Sequence, residues 1–470
     1  MALPNTQLGT PGVTALLDSR RRVWFIGIGG IQMAALAIAL RSRGFFVAGS
    51  DSCENTQVAL LRRAGIPVHI GHKATHLTDF DAAVYTLAVS EDNAEYVAAL
   101  HLGIPLISRA ELLAFLCAPY PRRIGVAGSH GKSTVTAMLA AIYSEAERDP
   151  TVFCGAPLAP GSPSFLLGKG RDCIFEACEY QDSFLRFSPT VSVVLNTDHD
   201  HADYFASRAD LCRSLSRYAA LPGAKGLFLY NAEDAACQQI AATCGVPALS
   251  FGLHVGDMQA DDLGYREGRG EFSLLFQGAS LGHVSLGVMG EHNIKNALAA
   301  ALCAYVSEVA PEAICRGLSR FGGAARRLEY RGLWCGARLF DDYAHHPAEI
   351  SATLAALRRI TRKTGRVFAV FQPHTYSRTR AFLEEFSEAL RAADRVFITD
   401  IYPARETDTL GMSGQLLAER IGERACHPDS TERLLALLRA ELGAGDILVL
   451  MGAGDIDGIF RKIWEKGFTL

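Results

Sequence analysis

Between Gly125 and Thr134 the chain reads GVAGSHGKST, with glycines, a histidine, a lysine and adjacent hydroxyls in one turn. Glycine tolerates positive φ and lets backbone N–H groups close on a single anion, so a turn of this composition is a phosphate cradle. The run Gly128, Ser129, His130, Gly131, Lys132, Ser133 and Thr134 is therefore the expected nucleotide site. Lys132 would meet the β and γ phosphates, and Ser133 would offer a hydroxyl to Mg²⁺. The apolar run TAMLAAIY predicts a helix leaving the turn, and Val126 stands where the full G-x-x-x-x-G-K-[ST] pattern has its first glycine.

Three more stretches set polar groups into apolar surroundings. In CIFEACEY, Glu176 and Glu179 follow a buried-strand pattern. In VSVVLNTDHDHADYF an apolar strand ends at Asn196 and releases Asp198, His199, Asp200, His201 and Asp203. Carboxylates and imidazoles at strand ends beside a phosphate loop are natural Mg²⁺ ligands. A zinc-hydrolase reading of His199, His201 and Asp203 competes, but that core continues with another histidine, whereas Tyr204 follows here. The last stretch pairs FDDYAHHPAEI with FQPHTYSRTR, which place Tyr343, His345, His346, His374, Arg378 and Arg380 just after two apolar strands. Guanidinium groups there suit bidentate binding of a carboxylate, and together the two stretches predict a substrate site.

These residues need a scaffold. With 470 residues the chain exceeds what one core serves, so several domains of roughly 100 to 200 residues are expected. RRVWFIGIGGIQMAALAIALRSRGFFVAGSD reads as strand, glycine turn, helix and strand, a βαβ unit of dinucleotide-binding type. Gly27, Gly29 and Gly30 suit a turn beneath a diphosphate; Ser50 and Asp51 end the second strand, Asp51 where an acid would meet a ribose or a base. The third glycine of G-x-G-x-x-G is Gln32 here. CAPYPRR, from Cys117, reads as a linker into a second α/β domain that opens with the phosphate loop. After FGGAARRLEYRG a third segment alternates the strands RVFAVFQ, RVFITDI and DILVLMGAG with amphipathic helices, again a doubly wound sheet.

Composition narrows the classes. Net charge of -4 without like-charge blocks gives no footprint for nucleic acid or an anionic membrane. The run MAALAIAL is too short to span a bilayer and the first twenty residues lack signal-peptide order, so a cytoplasmic protein is expected. Twelve cysteines without a C-x-x-C pair fit reduced, mostly buried thiols.

From end to end the sequence resembles the Mur ligases. The resemblance is carried, in the family's order, by GIGGIQM with GSD, GSHGKST, FEACEY, NTDHDHADYF, GEHNIKNALAA, RRLEYRG, DDYAHHPAEI, FQPHTYSRT, DIYPARE and VLMGAGDI. It implies three α/β domains: a Rossmann-like UDP-binding domain over 1–118, a P-loop ATPase domain with a mostly parallel sheet over 119–323, and a Rossmann-like domain for the amino acid over 324–470. It implies an ATP- and Mg²⁺-dependent amide ligase of peptidoglycan synthesis that joins L-alanine to UDP-N-acetylmuramic acid, acting as a monomer or weak homodimer. Carried over by position, Lys132 steadies the γ-phosphate; Ser133, Glu176 and His201 match the metal positions; His292 and Asn293 match the adenine contact. Arg326 and Arg327 match the basic pair that opens the third domain, and Tyr343, His345, His374 and Arg378 surround the amino acid and reacting carboxylate. Gln32 departs from the family's glycine and is expected to crowd the diphosphate, and Cys178 stands where many relatives carry aspartate. A ligase of recycled murein tripeptide and a non-catalytic nucleotide-binding relative remain as alternatives.

Overall fold

The computed structural model describes residues 3–201, 204–404, 406–407 and 410–465. Asp203, one of the residues released after the strand at Asn196, lies outside the described residues. Three sheets build the chain, each from apolar strands too short to cover themselves.

In the first, the strands Val68–Ile70, Phe46–Asp51, Arg22–Ile26, Ala82–Tyr85 and Leu106–Ser108 lie side by side in that order and run parallel. Arg22–Ile26 is central and buried, and feeds the glycine turn; the helix Ile31–Ser42 that follows buries Met33, Ala34, Leu36 and Ala37 against the sheet. The second sheet is parallel around Arg122–Ala127, which sits between Val191–Val194 and Asp172–Glu176, and ends in an antiparallel meander from Met258 to Met289. The third orders Glu329–Trp334, Ala337–Asp342, Ile447–Met451, Val367–Phe371, Arg395–Ile398 and Ala425–Cys426, with only the first strand antiparallel. The expected three-domain α/β class is the one observed, and active residues gather at the carboxyl ends of parallel strands, as this architecture dictates.

Two local findings modify the sequence reading. The strand Asp172–Glu176 stops at Glu176, so Glu179 stands on the loop beyond it instead of continuing the strand. CAPYPRR is not a free linker either. Cys117, Leu116 and Leu113 of the helix Arg109–Cys117 share one apolar cluster with Phe175, Phe184 and Phe187 of the middle domain. The first two domains are thereby joined through a common core, whereas the third has its own clusters. Gly323, at φ +106°, lies where the chain crosses into that third domain.

Phe175 is 1% exposed, precedes Glu176 in the strand and packs edge-on to Phe187 with ring centres 4.9 Å apart. Phe175→Ala is expected to cost about 3–5 kcal/mol and to lower the first calorimetric transition by several degrees. A transition shifted by less than about 1 °C would contradict the shared core.

Candidate active site

The phosphate loop is shaped by its glycines and pinned from the next strand. Gly128 has φ +126°, and a Cβ there would stand 3.0 Å from the Leu195 amide nitrogen; at Gly131, φ +85°, a Cβ would meet Asn296 Oδ1 at 2.5 Å. Asn196 accepts from the His130 N–H at 2.9 Å and donates to the His130 carbonyl at 3.0 Å. Ser129 donates its hydroxyl to the Asp198 carbonyl. The loop is thus held from the strand end that releases Asp200 and His201.

Lys132 opens the helix Lys132–Glu145 and turns its Nζ back onto the loop, 2.6 Å from the Gly128 carbonyl and 3.0 Å from Glu179 Oε1. Burial opposes the charge on Lys132, but Glu179 outweighs it and holds the amine above its ordinary range. Burial would likewise raise the Glu179 carboxyl, and Lys132 brings it below the ordinary range instead. His201 Nε2 approaches the same Oε1 at 3.5 Å, from a backbone at φ +55°. Glu179 Oε2 is buried without a hydrogen-bond partner.

The three residues expected at the metal divide into two neighbouring pairs. Glu176 accepts from Ser133 Oγ at 2.8 Å and from the Gly155 N–H at 2.7 Å, both at one oxygen. It faces the loop hydroxyl, while His201 faces Glu179. Among the described residues no three His, Cys, Asp or Glu side chains gather as a metal cluster. His199 instead pairs its Nε2 with the Phe205 carbonyl at 2.9 Å, which removes it from a zinc core.

The third domain reaches this centre through Arg378 and through Glu349, a carboxylate that the motifs did not single out. Asp200 Oδ1 accepts from Arg378 Nη2 at 2.6 Å, across the boundary between domains. Burial opposes the Asp200 charge, but His201 and Arg378 outweigh it and hold the carboxyl far below its usual range. Glu349 stands 3.3 Å from His130 Nδ1, 3.3 Å from His345 Nδ1 and 3.5 Å from Arg327. It also completes a capping box with His346 at the start of the helix Pro347–Ile360. His130 is raised: burial works against the proton, and the bond to Glu349 overcomes it. His345 is pushed down to about 3 by burial, with Arg378 adding to it, and its Nδ1 lies 2.9 Å from the Tyr343 carbonyl. The ring is neutral, Nδ1–H donates to that carbonyl, and Nε2 is left as an acceptor.

Two cavities flank the centre. One of about 210 Å³ beside the phosphate loop is lined by Thr134, Phe251, His292, Asn293, Asn296 and Arg327. His292 is lowered to about 4 by burial, then by Arg327, so its ring is neutral there. The Asn293 amide donates to the Met289 carbonyl at 2.7 Å, and its Oδ1 accepts from Asn296. The other cavity, about 1050 Å³, is bounded by Leu87 to Ser90 of the first domain, Cys178 and His201 of the second, and Tyr343, His345, His374 and Arg378 of the third. Of the six polar side chains expected there from the third domain, Arg380 lines it as well and His346 does not.

Arg326 and Ser50 are each tied into their own domain. Arg326 sits at φ +56° and donates to the Gly452 carbonyl at 2.8 Å and the Gly454 carbonyl at 3.3 Å, so it ties the third domain together and only Arg327 faces the cleft. Ser50 is fully buried: its hydroxyl donates to Glu95 and its carbonyl accepts from the Gly27 and Ile28 N–H groups. Asp51 accepts from the Gly29 N–H at 2.8 Å and so braces the glycine turn; Gly30 is exposed on it.

Known families describe the same order of parts. The model of the Mur ligase family catalytic domain matches residues 22–121, that of the Mur ligase middle domain 126–304, and that of the Mur ligase glutamate ligase domain 326–454. The chain belongs to the Mur ligase family. A UDP-N-acetylmuramate–L-alanine ligase of Caldanaerobacter subterraneus subsp. tengcongensis is 38% identical over 455 residues, covering 96% of this chain and 98% of that protein. The crystal structure of UDP-N-acetylmuramate-alanine ligase MurC from Thermotoga maritima superposes with a TM-score of 0.79 at 26% identity, covering 95% of this chain and 98% of that one. A murein peptide ligase from Psychrobacter arcticus shares the fold, with a TM-score of 0.71 at 22% identity over 95% and 99% of the two chains.

His345 gives this site a pH signature. Its folded value of about 3 lies below the unfolded value of 6.5, so below 6.5 the unfolded chain binds the extra proton. Stability is lost as pH falls from about 6.5 towards 3 and is retained above it. His345→Gln is expected to shrink that acid-side loss, read as urea midpoints at pH 7 and pH 5; an unchanged difference would mean that the ring is not held neutral.

Proposed function

We propose that this chain is an ATP-dependent ligase that joins L-alanine to the lactyl carboxylate of UDP-N-acetylmuramic acid, a cytoplasmic step of peptidoglycan precursor synthesis. The reading rests on near full-length similarity to L-alanine ligases of that nucleotide. The observation that carries it here is the position of Lys132 and Glu179 between the cavity beside the phosphate loop and a cavity bounded by all three domains. UDP binds on the glycine turn of the first domain, ATP in the cleft beside Asn293, and the acceptor carboxylate and amine meet at Arg378 and His345.

A carboxylate is a poor electrophile. One of its oxygens must attack the γ-phosphorus of ATP, with ADP leaving, before the amine nitrogen can attack the acyl carbon and expel phosphate. Lys132 neutralises charge on the oxygens in transfer, and the loop N–H groups hold them in line. Arg378, fixed by Asp200, orients the acceptor carboxylate. His345, neutral with Nε2 as acceptor, is placed to take a proton from the attacking amine. Ser133, Glu179 and His201 would hold Mg²⁺, and the unpartnered Glu179 Oε2 is the atom that fits this role. The ion supplies neutralisation of the ATP phosphates when bound. Water would hydrolyse the acyl phosphate, and the third domain is the part free to close, through its single crossing near Gly323.

The test is ADP release in the presence of UDP-N-acetylmuramic acid and L-alanine, glycine, L-serine or L-Ala-D-Glu-diaminopimelate. Rapid release that requires L-alanine is expected. Release only with the tripeptide would transfer the assignment to peptide recycling, and no release with any amine would overturn the ligase reading. Lys132→Ala is expected to abolish turnover while UDP-N-acetylmuramic acid binding by calorimetry stays within about twofold; loss of that binding would contradict the division of ligands between domains.

A further inference from the structure

Gln32 departs from the glycine of the family's first loop, and crowding of the diphosphate was the expectation. The side chain goes elsewhere. Gln32, in the first turn of the helix Ile31–Ser42, accepts through Oε1 from Nη1 of Arg109. Arg109 opens the helix Arg109–Cys117, directly after the strand Leu106–Ser108, so both residues stand at the carboxyl edge of the first sheet.

Arg109 is a cation without an anion. Its side-chain contact is to the neutral Gln32 amide, and among the described residues no carboxylate comes within ion-pair distance of it. The carboxylate that acts on its charge, Glu176, belongs to the middle domain and is already engaged by Ser133 and Gly155. A half-buried guanidinium with most of its donors unspent carries a desolvation cost that an arriving anion offsets. Such a fork matches phosphate oxygens bidentately. The Gly27–Gly30 turn leads straight into the helix that carries Gln32.

We propose that Gln32 is a positioning residue that holds Arg109 against the diphosphate of the sugar nucleotide, with Arg109 as the side chain that binds its β-phosphate. The inference rests on the sugar-nucleotide reading of the first domain. A glycine at 32 leaves the guanidinium free to rotate. A glutamine fixes it without spending its charge, because an amide oxygen accepts a hydrogen bond and brings no countercharge. A glutamate would also fix it, but as an ion pair that competes with phosphate.

The experiment compares UDP with UMP by calorimetry on the full chain and on Gln32→Gly, Gln32→Glu and Arg109→Lys, and adds the KM for each substrate. The wild-type chain is expected to prefer UDP over UMP by about tenfold or more, the scale of one or two charge-assisted bonds. Gln32→Gly reduces UDP affinity about three- to tenfold, and Gln32→Glu reduces it further, while UMP affinity stays within about twofold. Arg109→Lys keeps the charge, loses the fork and falls in between. The KM for UDP-N-acetylmuramic acid rises in the same order, and the KM for ATP does not follow. Tighter UDP binding by Gln32→Gly would establish crowding and overturn the inference. So would Gln32→Glu binding UDP as well as the wild type, which would make the side chain a structural contact only. A wild-type chain that binds neither UDP nor UMP would overturn the sugar-nucleotide reading itself, and this inference with it.

Discussion

The ion pair between Lys132 and Glu179 is the interaction around which the rest is arranged. Two buried charges this close persist only when each satisfies the other, and removing one leaves the second at high cost. Lys132 is fixed by the phosphate loop and Glu179 by the loop after the strand Asp172–Glu176, so the pair sets the distance between two neighbouring strand ends. Gln181 and Asp182, both at positive φ, bend the chain immediately after Glu179. Backbone strain of this kind is retained where surrounding contacts over-determine it, commonly at a functional site. Asn5 supplies one such contact, donating from the first domain to the Gln181 carbonyl at 3.0 Å.

The second constraint is how the third domain is hung on this centre. It approaches through Glu349 and Arg378, which meet His130 and Asp200 of the middle domain. Polar contacts across a boundary exchange for water at modest cost, unlike the apolar cluster that unites the first two domains. The phosphate loop and the glycine turn therefore stand over one shared apolar core, and Arg378, His345 and His374 over another. In the ligase proposed above, closing the second on the first would be the motion that excludes water.

Much of this was legible in the chain. GSHGKST announced a nucleotide loop because glycine and lysine at that spacing have few other uses, and the strand ends at Asn196, Asp342 and Gln372 did place polar groups around one cleft. Choices between neighbours were not legible. Glu176 and Glu179 share one short motif, and only the end of the strand at Glu176 decides that the second reaches Lys132. Arg326 and Arg327 are adjacent, and a single backbone at φ +56° turns the first into its own domain. Ser50 looked available beside Asp51, yet alternation along a strand sends consecutive side chains to opposite faces, and it meets Glu95 in the interior. Glu349 had a local signal, three residues after His346, as a helix cap; that it also binds His130 from another domain is a tertiary fact that no local pattern carries.

The central claim is that Glu179, and not Glu176, is the carboxylate of the phosphoryl-transfer site. Its most direct test is the affinity of the enzyme–ADP complex for Mn²⁺ as a stand-in for Mg²⁺, measured by electron paramagnetic resonance on Glu179→Gln and Glu176→Gln. The account predicts a loss of about tenfold or more for Glu179→Gln and a clearly smaller loss for Glu176→Gln, whose carboxylate is spent on Ser133 and Gly155. The reverse order would contradict it.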